Sequence, residues 1–123
     1  MADRIVRITV GDVTLEVEWD DTPTSNLVYE SLPLTASGSY WGDELYFSIP
    51  IAADTEPGAS DVVEVGAVAF WPPGNCLCLF WGPTPASHGD ECRAADRVNV
   101  VGRILNIEDL RRITASAVTV EVG

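Results

Sequence analysis

An aromatic and acidic segment near residue 43 carries side chains suited to binding a small molecule. In YWGDEL, Trp41 is followed by Asp43 and Glu44, and Tyr46 lies two residues further on. Ligand pockets combine apolar or aromatic walls with a few polar groups, and this segment supplies both. One interpretation is therefore a pocket rim with an aromatic shelf and carboxylates. The alternative is a tight turn at Gly42 with solvated acids. We favour the alternative for Glu44 and leave the choice open for Trp41 and Asp43.

The uncharged stretch FWPPGNCLCLFWGPTP, residues 70–85, is the second candidate. Core packing explains most of it, because aliphatic and aromatic residues on strands usually lie inside a protein. Successive strand residues point to opposite faces, however, so the pair Phe70 and Trp71 cannot both point inward. Some large aromatic surface must then face a loop, a partner or a groove. The residues predicted to bind a ligand are Trp41, Asp43, Tyr46, Phe70, Trp71, Asn75 and Trp81.

The segment SHGDEC contains the chain's only histidine and residue types that could ligate a metal. His88, Asp90, Glu91 and Cys92 show no recurrent metal-ligand spacing, and ordinary acidic loops have the same composition. No nucleophile–histidine arrangement and no glycine-rich phosphate loop can be argued from the sequence. We therefore predict no metal, no cofactor and no catalytic residue.

The charge of the chain restricts its partners. Nineteen acidic residues against seven basic ones give a net charge of -12, and every basic residue is an arginine. Such a field repels phosphate backbones and anionic lipids, so we expect neither nucleic acid nor membrane as a partner. Because the acids are scattered along the chain, adaptation to high salt is a more economical explanation than binding of cationic partners. A melting temperature that falls in molar salt would rule out this adaptation.

Three cysteines and the N-terminal residues indicate the compartment. An odd number of cysteines makes a disulfide framework unexpected, and Cys76 and Cys78 would share one face of a strand as small apolar residues. The segment MADRIVRITV lacks the continuous apolar core of a secretory signal. Apolar stretches end well before the ~20 residues of a membrane span. We expect a cytoplasmic protein.

Alternation of apolar and polar residues predicts a mainly β chain with two short helices. One helix begins with Thr22 as cap and Pro23 in the first turn, and it ends by Pro33. The other, over 107–113, is predicted to be capped by Asn106. Residues 52–61 and the polar segment before Leu45 are predicted loops. The predicted strands are 4–10, 13–19, 45–49, 63–71, 76–81, 98–105 and 117–122.

About seven short strands in one domain over 1–123 favour a closed or nearly closed β-barrel. Closure removes exposed strand edges, which would otherwise pair with other chains. A barrel needs inward residues at every second position of each strand, and the alternation provides them. The two short helices would cover the open ends.

Three segments carry a family resemblance: YWGDELYFSIP (40–50), VEVGAVAFWPPGNCLCLFWGPTP (63–85) and VNVVGRI (98–104). In this order, they resemble the small prokaryotic cyclophilin-like proteins, a family of uncharacterised domains. The resemblance covers most of the chain, and the elements WGDE, WPPGN and FWGPTP are together quite specific. It implies a cyclophilin-type closed β-barrel with short capping helices.

Cyclophilins isomerise prolyl peptide bonds, and the resemblance raises that activity for this chain. Their chemistry uses an arginine that stabilises the rotated amide beside an apolar pocket, lowering a barrier of ~18–20 kcal/mol. In the matching stretch, LYFSIP, Phe47 or Ser48 stands at the arginine position. Arg93, Arg97 or Arg103 could reach the groove from elsewhere.

Three functional hypotheses remain. The first is a non-catalytic binding module whose aromatic groove, lined by Tyr46, Phe70, Trp71 and Trp81, holds a small apolar ligand or a peptide. The second is a divergent prolyl isomerase that uses another donor in place of the arginine. The third is a homo-oligomer that buries exposed tryptophans at an interface. The missing arginine favours the first.

Overall fold

The fold begins with an antiparallel hairpin that the sequence predicts. In the computed structural model, which describes residues 4–123, strands β1 (Arg4–Val10) and β2 (Val13–Trp19) pair along their whole length. The first three residues of the predicted single domain lie outside the described part. Gly11 turns the chain with a φ of 62°, a left-handed conformation that glycine adopts without steric cost. Every second side chain of the hairpin is buried, so one face of it belongs to the core.

Helix α1 (Pro23–Glu30) follows the hairpin and begins as predicted. The Thr22 hydroxyl accepts a hydrogen bond from the backbone N–H of Ser25, and the Ser25 hydroxyl accepts one from the backbone N–H of Thr22. Each side chain thus satisfies a backbone donor that the helix start would leave free. The Trp19 indole donates to the carbonyl of Ser25 at 2.8 Å, which fixes the helix to β2.

A large sheet forms the rest of the protein. Beyond β1 and β2, its strands are β3 (Leu34–Ser37), β4 (Ser39–Tyr40), β5 (Glu44–Ser48), β6 (Ser60–Val63), β7 (Ala67–Trp71), β8 (Cys76–Phe80), β9 (Cys92–Ile104) and β10 (Ala117–Val122). In the sheet, the strands follow the order β3, β10, β1, β2, β9, β7, β8, β5, β4, and β6 pairs separately with β9.

The predicted closed barrel is confirmed only in part, because hydrogen bonds do not close the sheet. Its two end strands, β3 and β4, are instead consecutive in the chain, with Gly38 alone between them. The Tyr40 hydroxyl donates to the carbonyl of Ala115, just before β10, at 2.7 Å. Gly38 donates its backbone N–H to Ser116, also at 2.7 Å. Covalent continuity and these two bonds therefore bring the ends of the sheet together. The polar segment before Leu45, predicted to be a loop, contains β3 and β4, which are too short and polar to show a strand pattern.

Several predicted boundaries are also wrong. The single strand predicted over 63–71 is two strands, β6 and β7, because Gly66 has a φ of 92° and breaks the extended backbone. β6 begins within the predicted loop 52–61. The strand predicted over 98–105 is the second half of β9, which starts at Cys92.

The second predicted helix is a 3-10 helix over Ile107–Arg112, and Asn106 does not cap it through its side chain. The Asn106 side chain instead accepts from the backbone of Glu16 at 2.9 Å and donates to the carbonyl of Thr14 at 3.0 Å. These bonds to β2 occupy the amide that a cap would need. Leu110 of this helix and Val28 of α1 are fully buried, so both helices pack on the main core.

Strand β9 has two roles, and this division creates a second apolar layer. Its C-terminal half pairs with β7 and β2 in the main sheet. Its N-terminal half pairs with β6, and the two pack small side chains against the outer faces of β7 and β8. β7 and β8 are therefore buried on both faces for most of their length. The members of this outer cluster are Ala67, Ala69, Cys76, Cys78, Phe80, Cys92, Ala94 and Val98.

No helix in the described part of the chain has the length and apolar character needed to cross a membrane.

Candidate functional site

A pocket of about 190 Å³ lies between the outer face of the main sheet and the crossing strand β9. Its floor consists of buried side chains, whereas Trp41 and Trp71 are half-buried and Tyr46 and Ala95 reach the surface. Most of the lining is apolar or aromatic, as is usual for small-molecule sites. The lining residues are Trp41, Glu44, Tyr46, Trp71, Cys78, Ala94, Ala95 and Val98.

Strand register brings the lining residues together. Glu44 and Tyr46 are two apart on β5 and so point to the same face. Tyr46 lies opposite Cys78 of β8, and Trp71 lies opposite Cys76 at the end of β7. All of these side chains project outward from the sheet, away from the main core, toward the half of β9 that crosses over it.

The turn that presents Trp41 is fixed by backbone hydrogen bonds. Trp41 donates its N–H to the carbonyl of Glu44 at 2.9 Å, and Asp43 donates to Pro83 at the same distance. Gly42 has a φ of 63°, and a Cβ there would lie 2.8 Å from the Cα of Thr84. Only glycine meets both constraints without strain. This rigid turn sets Trp41 at the pocket rim.

Trp71 is held by a second glycine. A Cβ at Gly74 would lie 2.4 Å from Cζ3 and 2.6 Å from Cε3 of the Trp71 ring, so the six-membered ring lies against the bare backbone of Gly74. The turn over Pro72–Gly74 therefore does more than reverse the chain. It provides the surface on which the indole rests.

Glu44 is the most unusual residue of the site, and the expectation of a solvated acid is wrong. Its side chain is only 4% exposed, and it borders the pocket together with Ala94, Ala95 and Val98 of β9. Burial raises the pKa of Glu44 to about 7, and the neighbouring Cys78 thiol has a smaller, opposite effect. The carboxyl group therefore changes charge near neutral pH.

Two buried polar atoms in the pocket have no hydrogen-bond partner among residues 4–123: Oε1 of Glu44 and Nε1 of Trp71. Buried donors and acceptors are normally paired, and leaving one unpaired costs ~1–3 kcal/mol. One of these atoms is an indole donor, and the other is a carboxyl oxygen that accepts when ionised. The pocket therefore presents free hydrogen-bonding capacity within apolar walls.

The Cys78 thiol lines the pocket but is unreactive. Burial raises the pKa of its thiol, and the neighbouring Glu44 carboxyl raises it further. The thiol therefore stays protonated at neutral pH and is a poor nucleophile. Cys76, Cys78 and Cys92 are all buried and free, as expected for small apolar residues.

Three of the seven residues predicted to bind a ligand, Trp41, Tyr46 and Trp71, line this pocket. Phe70 points the other way and is fully buried in the main core. Asn75 is exposed in the turn before β8, where a φ of 51° makes it the left-handed residue.

Asp43 and Trp81 lie beside the pocket, at the junction of the sheet ends. Their backbones are joined, with the Trp81 N–H donating to the carbonyl of Asp43 at 3.0 Å. The Trp81 ring packs partly on the main core and contacts Tyr40 edge to face, with ring centroids 6.2 Å apart. The tryptophans expected to be exposed are thus all at least half-buried.

The sequence interpretation missed Cys78, Ala94, Ala95 and Val98 as lining residues. The available signal was the alternation of Cys92 and Ala94 with charged or exposed neighbours, which is typical of a half-buried strand. The three arginines considered as replacement donors do not line the pocket. Arg93 is paired with Asp61 at 2.8 Å, and Arg103 is paired with Glu18 at 2.5 Å.

The segment SHGDEC does not assemble a metal centre among the described residues, where no group of three potential ligands comes together. The Glu91 carboxylate instead accepts hydrogen bonds from the backbone of His88 and from Arg93. These bonds lower the pKa of Glu91 to about 2. The Glu91 carboxylate thus stabilises the conformation of this loop.

Comparison with known proteins agrees with this architecture. A family described as Cyclophilin-like matches residues 4–122. The solution structure of a hypothetical protein from Archaeoglobus fulgidus is similar over 99% of this chain and 96% of that one, with 36% sequence identity and a TM-score of 0.83. A search of curated proteins gave no match. The resemblance seen in the sequence is confirmed, and the chain belongs to the cyclophilin-like family.

Proposed function

We propose that this protein is a non-catalytic binding module whose outer-face pocket holds a small apolar ligand or part of a peptide. The observation that carries the proposal is the pair of unpartnered buried atoms, Glu44 Oε1 and Trp71 Nε1, in one apolar pocket. A ligand with matching polar atoms would remove both desolvation costs at once. Two unpaired atoms in one cavity favour a site over a packing fault.

The size of the pocket limits the ligand. About 190 Å³ admits one small molecule or one side chain of a peptide, but not a folded partner element. The net charge of -12 disfavours anionic ligands, including nucleic acids and acidic lipid surfaces. The aromatic rim formed by Trp41, Tyr46 and Trp71 suits an apolar body with a polar end.

The absence of a reactive group supports a binding role. The Cys78 thiol is held protonated, and the described residues place no arginine or histidine in the pocket lining. Glu44 is the one acidic group there, and a lone carboxyl without a second acid–base partner suits recognition better than a multistep reaction.

Prolyl isomerisation is the alternative, and membership of the cyclophilin-like family favours it. At the position that corresponds to the catalytic arginine of cyclophilins, Phe47 is buried in the main core, and Ser48 is exposed at the end of β5. A protease-coupled assay on a prolyl peptide tests this alternative. A rate near that of a true cyclophilin would replace the binding proposal.

Binding is tested by NMR on the 15N-labelled protein with a panel of neutral small molecules and a short alanine–proline peptide. We expect a ligand to shift the indole resonances of Trp41 and Trp71. The indole of Trp19, which is buried and bonded to Ser25, is the internal control and should not move.

A blocking variant makes the test site-specific. Ala95→Trp places a large ring at the exposed rim of the pocket, whereas Val100→Trp places the same ring at an exposed position of β9 outside this pocket. The first should abolish the shifts and the second should leave them. Shifts that persist in Ala95→Trp, or that centre on Trp81, would contradict the proposed site.

A further inference from the structure

The pocket contains an ionisable acid, and no cationic side chain of residues 4–123 lines it. Among residues 4–123, Glu44 is the only Asp or Glu in the lining, and the other titratable groups facing the cavity are the Cys78 thiol from β8 and the Tyr46 phenol from β5. β7 and β9 contribute Trp71 and apolar residues, with no arginine or histidine. A buried carboxylate is costly unless it is paired with a positive charge. Among the described residues the lining supplies no such charge, so the acid is either protonated, as its raised pKa permits, or paired with a cation that a ligand brings.

The walls of the pocket suit a cation with an apolar surface. Trp41, Tyr46 and Trp71 supply three aromatic rings around the acid. Aromatic faces attract cations through their quadrupoles, and groups of such rings recognise alkylated ammonium ions. A bare metal ion would need several oxygen ligands, and the lining offers one carboxyl. An ammonium ion that carries methyl groups fits both the charge and the apolar walls.

The second unpartnered atom adds a polar requirement. The Trp71 N–H has no acceptor among residues 4–123, so it can donate to an oxygen on the ligand. A ligand with a positive nitrogen at Glu44 and a hydroxyl or carbonyl oxygen at Trp71 would satisfy both atoms. The acidity of the whole chain would also raise the local concentration of such a cation.

From these observations we infer that the ligand is a small alkylated ammonium ion bearing an oxygen acceptor, bound between the Glu44 carboxylate and the Trp71 indole. The inference rests on the proposed binding function and specifies its ligand class.

Calorimetry with choline is the direct test. Its carbon isostere, 3,3-dimethylbutan-1-ol, has the same shape and hydroxyl but no charge, and tetramethylammonium has the charge but no oxygen. At pH 8 we expect choline to bind at least about tenfold more tightly than the isostere, because only choline pairs with Glu44. Tetramethylammonium should bind with intermediate affinity.

Two variants assign the contacts. Glu44→Gln keeps the shape of the side chain and removes its charge, so choline affinity should fall at least about tenfold while isostere affinity stays unchanged. Glu108→Gln removes one charge from an exposed site and controls for the net charge of the protein. Trp71→Phe keeps a ring but removes the N–H, so choline should bind it no better than tetramethylammonium.

The pH dependence provides a readout that structural damage would not imitate. A cation pairs with the ionised form of Glu44, so choline affinity should rise with pH up to about 7 and level off above it. Below that pH, binding should release a proton, which appears as a binding enthalpy that depends on the ionisation enthalpy of the buffer. Glu44→Gln should show neither effect.

The outcomes separate this inference from the proposed function. If the isostere binds the pocket as tightly as choline, or if choline affinity falls as pH rises from 6 to 8, the cation inference is wrong and the apolar pocket stands. If choline does not bind at millimolar concentration, the inference is also wrong. If neither these probes nor the neutral panel shifts Trp41 or Trp71, the binding function fails as well.

Discussion

Strands β7 and β8 carry different kinds of side chain on their two faces. On the inner face, Val68, Phe70, Leu77 and Leu79 are fully buried in the main core. The outer face instead carries alanines, cysteines and one large residue, Phe80, under the crossing half of β9. Its edge holds Trp71 and the pocket.

Under the proposed function, this difference separates stability from ligand binding on the two faces of one pair of strands. The inner face is sealed with large apolar side chains, which contribute most to stability when they are fully buried. The outer face has mostly small side chains, which let β9 approach closely, and the pocket at its edge contains the two unpartnered polar atoms. Unpaired buried groups reduce stability, so their presence on one face marks where the protein departs from optimal packing.

The largest expected effect tests the inner face. Phe70→Ala should lower the free energy of unfolding by ~3–5 kcal/mol, because it leaves a cavity in the main core. Trp71→Ala removes a larger side chain at the next position, but that residue is half-buried and borders an existing pocket. Its cost should be clearly smaller in urea denaturation. An equal or greater cost for Trp71→Ala would refute the division between the faces.

The second effect concerns Glu44 and pH. Its pKa of about 7 in the folded protein lies above the ordinary 4.5, so the folded state binds the proton more tightly than the unfolded state. The contribution of Glu44 to stability is therefore most favourable below pH 4.5, falls as pH rises to 7 and is constant above. Since a tenfold change in proton affinity is ~1.4 kcal/mol, the fall is on the order of 3 kcal/mol.

Glu44→Gln should remove this pH dependence and should be more stable than the wild type at pH 8. The measurement is the difference between the two proteins in urea denaturation at pH 5 and pH 8, so that contributions from other carboxyls cancel. A difference that does not change between these pH values would show that Glu44 is not buried as described.

The third effect tests the contact between Gly74 and the Trp71 ring at the edge of the pocket. Gly74→Ala forces a Cβ into the Trp71 ring, so either the indole moves or the turn shifts. We expect a loss of ~1–3 kcal/mol, as for other overpacked sites, together with a changed Trp71 indole resonance. Gly58→Ala is the matched control, since a Cβ there meets nothing within 4 Å. Equal behaviour of the two variants would contradict the contact between Gly74 and Trp71.

The smallest effect compares two indoles. Trp71→Phe removes an N–H that has no acceptor in the described chain, and the gain from losing this unpaired donor is offset by the smaller ring, so stability should change by less than ~1 kcal/mol. Trp19→Phe removes an N–H that bonds the Ser25 carbonyl in the core and replaces a fully buried indole with a smaller ring, so it should cost ~1–3 kcal/mol or more. Similar losses in thermal melting would show that the Trp71 indole is bonded after all.

The sequence predicts the inner face better than the outer one. Apolar residues at every second position of β1, β2, β5 and β8 identify the core positions. The same alternation of side chains predicts that Phe70 and Trp71 point to opposite faces. These features are local, so the pattern within a single strand is enough to recognise them.

The outer layer depends on contacts between distant segments. Residues 92–97 read CRAADR, which is polar and rich in small residues, and nothing within that run shows that it crosses the strands that carry Glu44 and Cys78. Glu44 therefore reads as a solvated acid, although its side chain is buried. The two end strands, β3 and β4, and their link through Gly38 are missed for the same reason, because such short polar strands resemble a loop.

The most direct test of the account is the titration of the Glu44 side-chain carboxyl carbon by 13C NMR, with and without saturating choline. We predict a midpoint near pH 7 in the free protein, and a lower midpoint with choline, because a bound cation favours the ionised acid. A midpoint near the ordinary 4.5 in the free protein, unchanged by choline, would contradict both the buried acid and its role in binding.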